Sequence, residues 1–240
     1  MKSTKLQQYL SGMRAGVPVI LGFVPVGIAF AIMARQAGFS LWQTCGMSLC
    51  VFAGASQMMA AGMYDQGAGL AAIIFATFIL NLRHLIMSTC VMNRMKDGST
   101  AARLFAAFGV TDESFALFTT EQEEHCFLPY FLGMITVTYS SWNVGTFIGA
   151  IASDFLPAII TASLGIALYA MFIGLLVPNL PSNGKLGALV LLTALCNTLL
   201  SQLMASSWAL IFSTLLCALA GTFFVDLDTN DRKEAPHEKP

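Results

Sequence analysis

The chain reads as an all-α integral membrane protein, a polytopic bundle of about seven or eight transmembrane segments. Two observations carry that reading. The first is composition: 56% of the 240 residues are hydrophobic and only 10% are charged, with a mean hydropathy of +0.72, too little polar surface to cover a soluble globule of this size. The second is segmentation. Apolar stretches near the roughly 20 residues that span a bilayer fall at about 15–35, 41–63, 67–92, 101–119, 128–152, 156–178, 186–204 and 207–225. Residues 1–225 are therefore read as one transmembrane transporter-like domain, and residues 226–240, charged and proline-containing, as a solvated, disordered tail.

The first stretch follows Lys2, Lys5 and Arg14 and has the look of a signal peptide. Pro18, Gly22, Pro25 and Gly27 interrupt it and it runs on to Ala34, beyond a normal signal core, so it is kept as part of the mature fold. Pro18, Pro25, Pro157 and Pro178 read as kinks or helix ends. The second stretch carries Phe52-Ala53-Gly54-Ala55-Ser56-Gln57 at its centre, small and polar residues that suit a broken or re-entrant element lining a cavity. Charge placement sharpens this. Lysine and arginine favour cytoplasmic connections, yet three stretches separate the N-terminal cluster from Arg94, Lys96 and Arg103. Either the bias is weak or one of those three stretches does not fully cross; orientation stays open. A weak two-unit organisation is also legible, in which the helix with Val26-Gly27 and the two that follow resemble the run that begins with Val144-Gly145.

The third and fourth stretches hold charge at membrane depth, where it is costly and usually functional. Thr77, Asn81, His84 and Ser88 fall on one helical face as a polar stripe; helix–helix hydrogen bonding explains such a stripe, and His84 also suits proton exchange near neutral pH. Arg83 lies near the middle of its stretch, too far from either end to snorkel easily, and so needs an anion, either a fixed carboxylate or a substrate carboxylate. In the fourth stretch, Gly109 followed by Thr111-Asp112-Glu113 reads in two ways: as a helix break with an N-cap and first-turn acids, or as a carboxylate for Arg83 plus a proton-exchanging acid. Gly145-x-x-x-Gly149 fits close helix packing, with a small-residue surface there for a partner helix, and Trp142 fits either packing or an interfacial anchor.

Several classes of function are disfavoured. A net charge of −1 provides no basic face for nucleic acid. Cys45, Cys50, Cys90, Cys126, Cys196 and Cys217 are scattered with no Cys-x-x-Cys pair, against a zinc site or disulfide framework; no metal and no cofactor is expected. No Gly-x-x-x-x-Gly-Lys-Ser/Thr loop is present, so a transporter of this sequence draws on an ion gradient or the substrate's own gradient. An intramembrane hydrolase pairing Ser56 with His84 is the enzyme alternative, without a serine elbow or an assignable orienting acid; the chain is read as not an enzyme.

Four motifs, Phe52-Ala-Gly-Ala-Ser-Gln57, Asn81-Leu-Arg-His84, Phe108-Gly-Val-Thr-Asp-Glu113 and Ser141-Trp-x-x-Gly145-x-x-x-Gly149-Ala150, stand in the order and spacing of the AzlC (azaleucine resistance) family. The resemblance runs to about Val225. It implies a bacterial inner-membrane, multi-pass permease exporting branched-chain amino acids of the valine, leucine and isoleucine class, with a small AzlD-type membrane subunit as partner. The expected function is a proton-coupled secondary exporter whose substrate-binding or coupling residues are Gly54, Ser56, Gln57, Asn81, Arg83, His84, Asp112 and Glu113. The alternative is a membrane subunit that does not transport without its small partner.

Overall fold

A computed structural model describes residues 4–155 and 184–224, and they are helical without strands. The chain divides into two compact units, Met1–Phe172 and Ile173–Pro240. The first unit contains α1 (Lys5–Gln36), α2 (Leu41–Val51), α3 (Gly54–Asp65), α4 (Leu70–Arg94), α5 (Thr100–Ala107), α6 (Asp112–Thr120) and α7 (Leu128–Ala152). The second contains α8 (Gly184–Leu203) and α9 (Ser206–Phe224), packed on each other, with Ser213 donating to Asn197 at 3.4 Å. The predicted stretch at 156–178 and the tail at 226–240 lie outside the described residues, as do Pro157 and Pro178. Two of the described helices, α1 and α4, are long and apolar enough to cross a membrane.

Hydropathy alone places the start of the first helix about ten residues late. Thr4 accepts from the Gln7 amide while the Gln7 side chain accepts from the Thr4 amide, a reciprocal cap that starts the helix in its polar segment. Pro18 and Pro25 sit inside α1 without ending it.

The scaffold is the contact of α1 with α7. A Cβ placed on Gly12 would lie 1.8 Å from the Tyr130 carbonyl oxygen, one on Gly133 2.0 Å from that of Tyr9, one on Gly145 2.6 Å from that of Val24, and one on Gly149 2.5 Å from that of Ile28. Only glycine permits this backbone approach. Because the residue numbers rise together along the contact, the two helices are parallel. The Val-Gly pairs noted in the sequence face each other: Gly27 meets the carbonyl of Trp142, and Gly145 that of Val24, each three residues before the other glycine. Of the two helices that the larger repeat places after α7, the first, at 156–178, lies outside the described residues. Gly145 and Gly149 are buried against α1, which corrects the expectation of a free small-residue surface there for a partner.

The second and fourth stretches are hairpins and not through-going helices. Phe39, just after α1, packs on Tyr64 at the end of α3, with ring centroids 4.9 Å apart. Arg35 at the end of α1 meets Asp154, after α7, at 2.6 Å. So α2 enters from the end of the bundle where α1 and α7 finish, and α3 returns to it. The reversal is at Phe52, in the left-handed region at φ 39°. The α5–α6 pair mirrors this from the other end. Lys96, after α4, pairs with Glu123, after α6, at 3.2 Å, and the Leu128 amide at the start of α7 donates to Asp97 at 2.6 Å. Each hairpin has its own core. Phe23, Phe30, Phe52, Met58 and Trp142 cluster around α2–α3; Met87, Val91, Val110, Phe118, Phe131 and Met134 cluster around α5–α6.

This arrangement accounts for the charge conflict in the sequence. With the second stretch turning back, the start of α1 and the Arg94, Lys96 and Arg103 cluster lie at the same end, and the chain passes α1, α4 and α7 as alternating long helices. It also relates α1 plus its hairpin to α4 plus its hairpin in opposite directions, an inverted relation that hydropathy does not reveal.

Gly145→Ala is expected to destabilise the protein by about 1–3 kcal/mol, the cost of overpacking a tight contact, because the obstacle is the Val24 backbone and not a side chain that can swing aside. Gly46→Ala, where a Cβ meets nothing within 4 Å, is the control. Detergent-solubilised melting curves of the two variants measure the difference.

Candidate functional site

Both hairpin tips reach the middle of α4. Asn81 and His84 lie three residues apart on one face of this helix, near its midpoint. The Ser56 hydroxyl, in the first turn of α3, donates to Asn81 Oδ1 at 2.6 Å. His84 Nδ1 lies 3.0 Å from the Val110 carbonyl oxygen, just before α6; since a carbonyl only accepts, Nδ1 carries the proton and Nε2 is left without one in the neutral ring. The two tips touch each other through Phe52 and Phe108, whose ring centroids are 6.2 Å apart, with Tyr139 of α7 against both. The starts of α3 and α6 therefore converge at mid-height on one face of α4, each presenting the positive end of its helix dipole.

The two starts are dressed differently. Thr111 caps α6 reciprocally with Ser114, and Asp112 and Glu113 occupy its first turn. The helix break with its N-cap and first-turn acids is present, and Arg83 Nη2 meets Asp112 Oδ2 at 3.0 Å. Glu113 has no ion-pair partner among the described residues. In contrast, the N-cap of α3 is Ala53, which makes no side-chain cap, and the helix has no acid in its first turn.

The Arg83–Asp112 side chains remain about a third exposed, at 34% and 32%, so the pair is not a sealed ion pair and its strength is moderated by its surroundings. Arg83 Nε is buried without a hydrogen-bond partner among the described residues. Of the remaining sequence candidates, Gln57 does not face α4. Its Nε2 donates to Ser48 of α2 at 3.0 Å, and Ser48 also accepts from Trp142 Nε1 at 3.2 Å and bonds Thr146 at 2.8 Å. Gly54 has a packing reason: a Cβ there would lie 2.6 Å from the Trp142 ring. Trp142 is buried between Phe23 and Phe30, a core residue and not an interfacial anchor. Thr77 bonds backbone carbonyls of its own helix, so the polar stripe joins neighbouring elements at Asn81 and His84.

Ser56 and His84 are each engaged elsewhere, by Asn81 and by the Val110 carbonyl, and do not form a hydroxyl–imidazole pair. Sequence reasoning missed Ser48 and Thr146, small hydroxyl residues in apolar helices. A fourfold spacing on α2, Thr44 with Ser48, was the available signal. It missed Ser114 as well, although Thr111-x-x-Ser114 is a capping pattern.

A double-mutant cycle on Arg83→Gln and Asp112→Asn is expected to give a coupling energy of about 0.5–3 kcal/mol, the range for residues in contact. Melting in detergent measures it. Additive losses would contradict the pairing.

Comparison with known proteins follows the same segment. A family model described as AzlC protein matches residues 18–156, from within α1 to just past α7. A protein of Archaeoglobus fulgidus named as an uncharacterized membrane protein is 34% identical over 74% of this chain and 78% of its own length. The Inner membrane protein YgaZ of Escherichia coli is 29% identical over 71% of this chain and 73% of its own. The Branched-chain amino acid transport protein AzlC of Bacillus subtilis is 28% identical over 65% of this chain and 62% of its own. No solved structure matches the chain. The matched region contains both hairpins and the α4 motif between them, and the chain belongs to the AzlC family.

Proposed function

We propose that this protein is a multi-pass inner-membrane secondary transporter that exports small apolar α-amino acids of the valine, leucine and isoleucine class, coupled to protons. The observation that carries the reading is the meeting of two half-helix starts, entering from opposite ends, on the Asn81–His84 face of α4. Broken helices whose N-termini converge at mid-depth are a recurring way to hold a charged substrate group inside a membrane. A helix running straight through offers no free backbone groups there. The transport protein of Bacillus subtilis related to this chain carries branched-chain amino acids in its name, which agrees in substrate class.

Coupling is assigned to α6. Asp112 is held by Arg83, whereas Glu113 sits beside it in the same first turn with no cation of its own among the described residues, so Glu113 is the carboxylate free to take up and release a proton during the cycle. His84, with its Nδ1 committed to Val110, is the second proton-exchanging group of the site. A small AzlD-type membrane subunit belongs to the proposal on family resemblance.

The test is flux in proteoliposomes, with a panel of labelled amino acids, an imposed pH gradient, and the chain alone or with its small partner. Wild type is expected to concentrate branched-chain amino acids in response to the gradient. Glu113→Gln is expected to retain amino-acid exchange while losing gradient-driven accumulation by about tenfold or more, as for loss of a coupling group. Full accumulation by Glu113→Gln would contradict the assignment to this residue, and absence of flux for every amino acid, with and without the partner, would contradict transport.

A further inference from the structure

We infer that the first turn of α3, and not Arg83, holds the head group of the substrate: the amides at the start of α3 take the carboxylate and Gln57 Oε1 takes the ammonium. This rests on the transport reading above and adds which residues recognise the α-amino acid. Three observations carry it. The start of α3 lacks a side-chain cap and first-turn acid, and among the described residues the amides of Gly54, Ala55 and Ser56 meet no acceptor, so they are donors left open at mid-height. Gln57 is fully buried, and its Oε1 has no hydrogen-bond partner among the described residues; burying an amide oxygen unpaired is costly and calls for a donor. Its Nε2 is anchored on Ser48, in the last turn of α2, at 3.0 Å, so the amide oxygen and not the nitrogen is the group left to be met.

One turn of helix thus offers free donors and a free acceptor together. An α-amino acid carries an acceptor and a donor on one carbon, and is the complement of that turn. Arg83 is the competing carboxylate site, but its guanidinium already meets Asp112. The apolar cluster at the same tip, Phe23, Phe52, Met58 and Trp142, fits an uncharged aliphatic side chain and disfavours a charged one.

The experiment uses the full chain in nanodiscs and measures binding of valine, of isovalerate, which lacks the amine, and of isobutylamine, which lacks the carboxylate. Wild type is expected to bind valine at least about tenfold more tightly than either analogue, the effect of one lost charge-assisted hydrogen bond. Gln57→Leu is expected to weaken valine about tenfold while leaving isovalerate unchanged, and Arg83→Lys to leave the preference for valine over isobutylamine in place. Hydrogen exchange on wild type supplies a readout that needs no variant: valine and isovalerate slow exchange across residues 52–58, and isobutylamine does not. Equal losses of valine and isovalerate binding in Gln57→Leu, collapse of the carboxylate preference in Arg83→Lys, or protection confined to residues 81–84 would overturn the inference while leaving transport standing. Wild-type protein that binds no α-amino acid would overturn both.

Discussion

The backbone-to-backbone contact of α1 with α7 is the constraint on which the rest of the first unit depends. Glycines on both helices meet carbonyls of the other, so the helices cannot slide or rotate relative to one another without either a clash or a gap. That fixes two surfaces at once. Toward the end where α1 finishes, Phe23, Phe30 and Trp142 form the wall that receives α2 and α3. Toward the end where α1 begins, Tyr130, Phe131 and Met134 form the wall that receives the α5–α6 hairpin and the second half of α4. The hairpins are short and could not hold a position alone; they are placed by a scaffold whose own geometry leaves little freedom.

A helix that stops at mid-height must have its backbone groups met by something, and the two hairpins meet that demand differently. At α6, Thr111 and Ser114 cap the amides. The Val110 carbonyl is satisfied by His84, and the acids add their charge to the positive end of the helix. At α3 the carbonyl side of the break is served in part by Tyr139, which donates to Leu49, while the amide side is left uncapped. A charged, closed start therefore faces an uncharged, open one across the same face of α4. That asymmetry gives the site a direction and underlies the two roles proposed above, proton exchange on α6 and binding of the substrate head group on α3.

Much of the architecture was legible in the sequence because it rests on local chemistry. The break at Phe52–Gly54 showed itself as small and polar residues in an apolar run, and the break at Gly109–Thr111 as a glycine followed by a capping residue and acids. The Gly145 and Gly149 spacing announced a close helix contact. What stayed hidden depends on direction. A 20-residue apolar stretch looks the same whether it crosses or turns back halfway, and the small and polar residues at 52–57 together with the conflict in the positive charges were the hints that one of the first three did not cross. The partner of Gly145 was hidden too, since a glycine pattern says that something comes near without saying what; here it is α1 and not a second protein. The roles of Gly54 and Gln57 were open for the same reason, because the residues that explain them, Trp142 and Ser48, lie 88 residues ahead and 9 behind.

The central claim is that two half-helix hairpins enter from opposite ends and meet on α4, and sidedness of labelling tests it most directly. Single cysteines at Gln36, Gln66, Thr100 and Gln122 in a background lacking the native cysteines, probed in sealed vesicles with a membrane-impermeant maleimide, report which end of the bundle each position occupies. The account predicts that Gln36 and Gln66 label together from one side, and that Thr100 and Gln122 label together from the other. Labelling of Gln36 and Gln66 from opposite sides would mean that the second stretch crosses the membrane, and the site built on its tip would not exist in that form.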